Sequence, residues 1–334
     1  MVPGTNKAEM VPGTISEGVT RLAAGELVAF PTETVYGLGA DARNPAAVAK
    51  IFAAKGRPID HPVIVHVQSI AALAVWGVNV PAAARGLAER FWPGPLTLIV
   101  KKAEHVSAAL TGGQDTVGLR CPSHPVARRL LEEFARVGSG AIAAPSANKF
   151  GHVSPTTAAH VRDEFGPELF VIDGGACDVG IESTIVDVSR GEPVLLRPGA
   201  ISRDDIRSVL GKPPRDRDEN APRASGTLAA HYAPRTALSL VSADELDREV
   251  RSFANAAVLA LRDSPRHSLT TAWIIASRDP SRYGHDLYAN LRRLDASGAK
   301  RILVEAPPDA PEWEAVNDRL QRASAGAGAL DDEP

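Results

Sequence analysis

The chain has little cysteine, 2 residues among 334, and no CxxC or Cys/His cluster. A disulfide scaffold and a zinc-finger type of site are therefore excluded. No window approaches the ~18 consecutive apolar residues that a membrane-spanning helix needs. Charge of one sign is missing too. The 37 Lys and Arg stand against 40 Asp and Glu, a formal net of −3. This balance excludes a bulk polycation that holds nucleic acid by charge alone, although it leaves room for a local basic groove. There is no GxxxxGK(S/T) phosphate loop and no GxSxG nucleophile elbow. The first fourteen residues, which carry MVPGT at 1–5 and again at 10–14, contain no apolar stretch of the kind found in a signal peptide or anchor. A repeat offset this short is not a structural repeat, and 1–13 reads as a flexible leader.

What is present is ordinary for a globular protein. Apolar residues make up 44%, enough to bury a core, and the length suggests about two domains. Short apolar strands alternate with helical segments from Thr14 to Leu210. Strands are expected at 27–30, 63–67, 96–100, 117–120, 141–144, 169–173, 183–187 and 194–197. Helices are expected at 14–24, 45–54, 81–91, 124–137, 156–165 and 204–210, the first capped by Thr14 with Glu17 in a capping box. Interleaving of this kind argues an α/β domain with a mixed sheet over 14–210. Residues 211–234 are rich in Pro and charge without apolar period, a linker that can close over a site as a lid. A second, smaller α/β unit is expected over 235–325, with strands at 238–241, 257–261, 272–276 and 301–304. Its helices fall at 243–254, along the stripe Tyr283, Leu287, Leu291 and Leu294, and at 312–323, with a tail over 326–334.

Chemistry-bearing residues gather at strand ends. Phe30-Pro-Thr-Glu-Thr-Val-Tyr-Gly-Leu-Gly39 sets hydroxyls after a buried strand, where α/β sheets bind ligands, though threonine also suits strands for its β propensity. Lys55-Gly56-Arg57-Pro58 reads as a helix stop, and its two cations also suit a phosphate clamp. His66 shares a strand face with Ile64; such a histidine is more often a bonded core residue than a ligand. Arg120 ends an apolar strand and implies a buried anion, from the protein or from a ligand. Ala144-Pro145-Ser146-Ala-Asn148 closes a strand with small residues that let a planar group approach, and Ser154 or Thr156 can cap the next helix. Gly180-Ile-Glu-Ser183 and Arg197-Pro-Gly199 add turns, a hydroxyl and a further cation. Two loose GxGxxA matches, Gly37–Ala42 and Gly138–Ala143, lack the strand–loop–helix setting of a dinucleotide site. No base stands beside Cys177 in sequence.

Taken together, these segments resemble the Sua5/YrdC family, the threonylcarbamoyl-AMP synthases of tRNA modification. The carrying motifs are PTETVYGLGADA (31–42), KGRP (55–58), PVIVHV (62–67), FWPGPLTLIV (91–100), GLRCPSHP (118–125), APSANKFG (144–151), GIESTIVD (180–187), LLRPGAI (195–201) and HYAP (231–234). The linker and second unit resemble the longer, two-domain Sua5 type. The resemblance implies a twisted open mixed sheet with flanking helices, followed by a small Rossmann-like α/β domain. It implies a nucleotidyltransferase reaction in which L-threonine, bicarbonate and ATP, with Mg²⁺, give threonylcarbamoyl-AMP and pyrophosphate. The product would pass to the machinery that modifies adenosine in tRNAs reading ANN codons, with at most weak contact to tRNA itself, in the cytoplasm and away from membranes.

Carried over residue by residue, Thr34, His66, Arg120, Ala144 and Ser183 would line the threonine pocket. Lys55, Arg57, His61, Thr116, Ser146, Asn148, Ser154 and Arg197 would contact ATP, with Lys55 and Arg57 as the catalytic cations. His231 and Tyr232 would close the linker. Two departures stand out: His61 takes the place of a usual Asn, and Ser225–Ala230 lacks the Lys and first Tyr usual before His-Tyr-Ala-Pro. A non-catalytic module that binds double-stranded RNA or tRNA is the alternative. A sugar-phosphate lyase would need an acidic metal cluster that the motifs lack. A carbamoyl-phosphate domain would come with zinc fingers that two cysteines exclude.

Overall fold

A computed structural model describes residues 12–252, 255–265 and 269–327. The expected leader lies outside the described residues except for 12–13, and the expected tail except for 326–327.

The described residues open with helix α1 (Pro12–Ala23). Thr14 therefore sits inside the first turn instead of capping it, since a proline already opens the helix two residues earlier. Strand β1 (Val28–Phe30) pairs antiparallel with β2 (Gly37–Asp41), in register Val28 with Gly39 and Phe30 with Gly37. The glycines of 37–41 hide this strand from a propensity reading. Here they are required, because a Cβ on Gly39 would lie 2.8 Å from both the Phe30 ring and the Ile142 side chain. Helix α2 (Pro45–Lys55), capped by the Asn44 side chain and stopped by Gly56 at φ 64°, leads to β3 (Ile64–His66). Two short helices absent from the sequence expectation, α3 (Ala72–Trp76) and α5 (Ala108–Thr111), flank α4 (Ala82–Phe91) and β4 (Leu96–Lys101). Strand β5 (Thr116–Arg120), helix α6 (Pro125–Phe134) and strand β6 (Ile142–Ala143) follow.

Helix α7 (Ala158–Phe165) is capped by Thr157, whose hydroxyl accepts from the His160 N–H, and not by Ser154 or Thr156. Both of those are buried and Ser154 bonds elsewhere. The strand expected over 169–173 does not form. Only Val171 makes a bridge, parallel to Ala29 on the free edge of β1, where the Ala29 N–H donates to the Phe170 carbonyl and the Ile172 N–H to the Ala29 carbonyl, each at 2.9 Å. Strands β7 (Thr184–Asp187) and β8 (Val194–Arg197) and helix α8 (Arg203–Leu210), with a Ser202–Asp205 capping box, complete the first unit.

Eight strands form one mixed sheet in the order β1-β2-β6-β3-β5-β4-β7-β8. Alternate residues serve opposite faces. Tyr36, Leu38, Val65, Leu98 and Val186 meet α2, α3 and α4 in the main core. Phe30 and Ile142 meet α1 and α6 in another. Ile64, Ile99, Ile185, Val194 and Leu196 form a small cluster of their own, against which Ala221 and Ala224 of the linker pack. That linker-covered face of the central strands carries the site.

The second unit begins with β9 (Leu238–Val241), α9 (Ala243–Ser252) and β10 (Ala256–Ala260). It continues through β11 (Ala272–Ile275), α10 (Pro280–Asp295) and β12 (Arg301–Glu305). A 3₁₀ turn over Pro311–Trp313 then feeds α11 (Glu314–Gly326). Its four strands are all parallel, in the order β11-β10-β12-β9. Its core is not closed on itself: Val35, Val153, Ile181 and Tyr232 belong to the same apolar cluster as Leu287, Tyr288 and Leu320. Among the described residues no helix is long and apolar enough to cross a membrane.

Candidate active site

One row of paired residues runs across five strands. His66 of β3 lies opposite Arg120 of β5, Arg120 opposite Thr97 of β4, Thr97 opposite Ile185 of β7, and Ile185 opposite Arg197 of β8. Cross-strand partners share a face, so the row points one way. Arg197 reaches that face only because the register slips between Ile185 and Val186, which leaves Leu196 without an opposite residue. A bulge turns the next side chain over, here from the main core to the site.

Around this row lies a crevice with ≈ 500 Å³ of open space, its mouth included. Of the residues expected from sequence, Thr34, Arg57, His66, Arg120, Ala144, Ser146, Ser183, Arg197, His231 and Tyr232 line it. His61 lies in an adjoining crevice that shares Arg57 and His231 with the first. The other four line neither. Lys55 is buried behind the wall, its Nζ donating to the carbonyl oxygens of Ser146 (2.6 Å) and Asn148. Asn148 spends its amide on the carbonyls of Lys149 and His152. Ser154 donates to Glu182 at 2.5 Å, and Thr116 stands at the far end of β5, paired with Lys101. Lys55, Asn148 and Ser154 thus hold the loops behind the wall, and Thr116 stands away from it.

The buried anion implied by Arg120 is a protein group, Glu33. Its Oε1 lies 2.7 Å from Arg120 Nη2, off the hydrogen-bonding direction, while its Oε2 accepts from the Ser123 N–H. Burial pushes the Glu33 carboxyl up, but the Arg120 guanidinium and the backbone donors outweigh it and hold the group below the usual carboxylate range. Arg120 Nη1 donates to Thr34 Oγ1 at 2.8 Å, and Thr34 Oγ1 also contacts Thr32 Oγ1 at 2.9 Å. The guanidinium is only 4% exposed, yet its Nε has no hydrogen-bond partner among the described residues. A buried donor edge without a partner is costly and fits a ligand acceptor.

Ser183 Oγ contacts Thr97 Oγ1 at 2.8 Å and accepts from Arg197 Nη2 at 3.2 Å. The Ser183 carbonyl accepts from Arg197 Nε and Nη2 at 3.1 and 2.9 Å. Burial, reinforced by Arg120, pushes His66 down to about 3, so its ring is neutral at physiological pH and its Nδ1 is unpartnered. His231 is likewise lowered to about 3, chiefly by burial. Burial lowers Arg57 to about 10, so it stays charged at neutral pH. Its Nη2 donates to the Pro62 carbonyl at 2.9 Å. The linker roofs the crevice. Ser225 Oγ donates to the Pro62 carbonyl at 2.8 Å, Arg197 Nη1 donates to the Ser225 carbonyl at 2.9 Å, and His231 packs against Tyr232 with ring centroids 4.1 Å apart and planes tilted by 60°.

Three groups escape the sequence reading. Glu33 sits within a motif but carries no local signal of its own. Glu182 is buried beside Ser183, held by Ser154 and by Tyr288 and Arg319 of the second unit. Arg319 could have been found: it falls on the apolar stripe Val316, Leu320 and Ala323 of α11, where a cation needs a buried partner. Glu33 and Glu182 are both ion-paired, and among the described residues no group of three or more His, Cys, Asp or Glu is disposed to hold a metal. This donor set does not fit a protein-held magnesium ion, and no step below runs through one.

Residues 20–199 match the Sua5/YciO/YrdC family, described as "Telomere recombination", and residues 201–325 match "Threonylcarbamoyl-AMP synthase, C-terminal domain". The threonylcarbamoyl-AMP synthase of Pyrococcus abyssi is 38% identical over 328 residues, which cover 93% of this chain and 95% of that protein. That of Bacillus subtilis is 37% identical over 326 residues, 93% of each. A crystal structure of P. abyssi Sua5 complexed with L-threonine superposes with a TM-score of 0.85 at 37% identity, over 93% of this chain and 94% of that one.

Proposed function

The chain belongs to the Sua5/YciO/YrdC family, and from that premise we propose that it is a threonylcarbamoyl-AMP synthase, a nucleotidyltransferase that joins L-threonine, bicarbonate and ATP with release of pyrophosphate. The observation that carries the reading is Arg120, a buried guanidinium with an unpartnered edge, beside the hydroxyls of Thr34 and Ser183 in one crevice. An α-carboxylate is the acceptor such an edge suits. The hydroxyls suit a substrate that itself carries one, and a site built to bond a hydroxyl rejects substrates lacking it.

In this reading, the threonine amine attacks the carbon of bicarbonate, the N–C bond forms as a C–O bond breaks, and N-carboxy-threonine results with loss of water. Its carboxylate then attacks the α-phosphate of ATP, and pyrophosphate leaves. Arg57 and Arg197 neutralise the charge that develops there. Lys55, His61, Ser146, Asn148 and Ser154 complete the nucleotide's surroundings, directly or by fixing the loops that face it. Magnesium enters bound to the phosphates, as part of the substrate. No protein nucleophile is called for: the hydroxyls of Thr34 and Ser183 bond to arginines, not to a base, and burial pushes the Cys177 thiol up. Catalysis is then positioning plus electrostatics. His231 and Tyr232 anchor the linker, which acts as a lid. The product passes, in the cytoplasm, to the machinery that modifies tRNA.

A bare RNA-binding module is disfavoured. Lys55, Arg57, Arg120 and Arg197 are all buried, out of reach of a duplex backbone. Pyrophosphate release measured with each substrate omitted in turn tests the proposal. Release should stop without threonine, without bicarbonate and without ATP, and release that persists without threonine would refute it.

A further inference from the structure

Glu182 lines the crevice next to Ser183, and most of what holds its carboxylate comes from the second unit. Its Oε2 accepts from Tyr288 Oη on α10 and from Arg319 Nε on α11, each at 2.8 Å. Among the described residues, the first unit's hydrogen bond to this carboxylate comes from Ser154, on Oε1. Arg319 is fully buried. Besides Glu182 it donates through Nη2 to the Pro198 carbonyl at 3.0 Å and through Nη1 to Asp318 at 2.7 Å, and its guanidinium lies 5.3 Å from the Tyr232 ring centre.

These contacts have a pattern. Glu182 is the residue before Ser183, and Pro198 is the residue after Arg197. Arg319 therefore grips the outer neighbours of the two residues that face each other at the wall of the crevice. The two backbones run so close there that a Cβ on Gly199 would lie 2.8 Å from the Glu182 carbonyl oxygen. The same guanidinium supports Tyr232, which holds the left-handed φ of 62°, a conformation rare for a bulky residue and kept only where surroundings enforce it.

We propose that Arg319 and Tyr288 are positioning residues of the active site, which act through Glu182 to set Ser183 for the threonine moiety and through Tyr232 to seat the linker. The second unit is thus part of the site's wall and not an appendage to it. The inference rests on the synthase reading above.

The test is steady-state pyrophosphate release, titrated with threonine, on the full chain. Omission of threonine from the unsubstituted protein checks the reaction itself, so failure there is separable from failure of this inference. Tyr288→Phe removes one hydroxyl and keeps the ring. It should raise the threonine KM several-fold with kcat within about two-fold. Arg319→Gln should raise that KM ten-fold or more. Glu182→Gln together with Arg319→Gln, which removes both charges, should be no worse than Glu182→Gln alone, because the two residues act as one unit. A threonine KM within two-fold of the unsubstituted value in both Tyr288→Phe and Glu182→Gln would overturn the proposal. So would effects of Glu182→Gln and Arg319→Gln that simply multiply in the double variant. Should Arg319→Gln not fold, Tyr288→Phe decides.

Discussion

Every charged side chain in the crevice is taken out of water, and each is compensated in its own way. Glu33 is balanced by Arg120, which in turn keeps one donor edge unspent. Arg120→Lys keeps the charge but removes the planar fork. A hydrogen bond to a charged group is worth about 1.5–3 kcal/mol, so the threonine KM should rise roughly ten- to hundred-fold, and isothermal titration with threonine would show the same loss. Glu182 predicts a pH effect. Burial pushes its carboxyl up, yet Arg319, Arg197 and Ser154 together hold it at about 2 against an ordinary 4.5. Its contribution to stability is therefore fully present above pH 4.5 and is lost as pH falls toward 2. Urea unfolding at neutral and acid pH should show a smaller acid-induced loss in Glu182→Gln than in the unsubstituted protein. The sequence made Arg120 conspicuous but left its partner open, because Glu33 lies 87 positions away and only the fold joins them. Lys55 and Arg57 stand in one motif, yet the helix stop at Gly56 sends one behind the wall and the other into the crevice. Two cations two positions apart in sequence do not reveal that division.

At the scale of elements, most strands and helices were legible from alternation and caps. The failures have physical causes. Strand β2 carries glycines because the Phe30 ring and Ile142 occupy the space of a side chain, and a propensity reading takes glycine as a break. The bulge in β8 leaves no mark in the apolar pattern of Val194–Arg197, although it decides which face Arg197 serves. The linker was legible as a linker from its proline and charge, and its length from 211 to 234 suits a segment that roofs a site. Arg215, Arg217 and Arg223 are exposed along it. Trypsin should cut there, and more slowly when ATP and threonine are both present. Cleavage at an unchanged rate would count against closure of the linker over bound substrates.

At the scale of the whole molecule, two units were readable from length and from the change in composition after Leu210. How they meet was not, because a charged residue on an amphipathic helix is usually a solvated one. Arg319 is the exception, and it meets Glu182 across the boundary with no exposure of its own. Chains of two domains commonly melt in separate steps. Here the two units share one apolar cluster and the bonds from Tyr288 and Arg319 to Glu182, so parting them while both stay folded would open that apolar surface to water and break those bonds. The partly separated species is thereby depopulated, and heat should take the chain apart all at once. A scanning calorimeter should record one endotherm whose van't Hoff and calorimetric enthalpies agree. Thinning the shared apolar contact, in Ile181→Ala, should let that endotherm split in two.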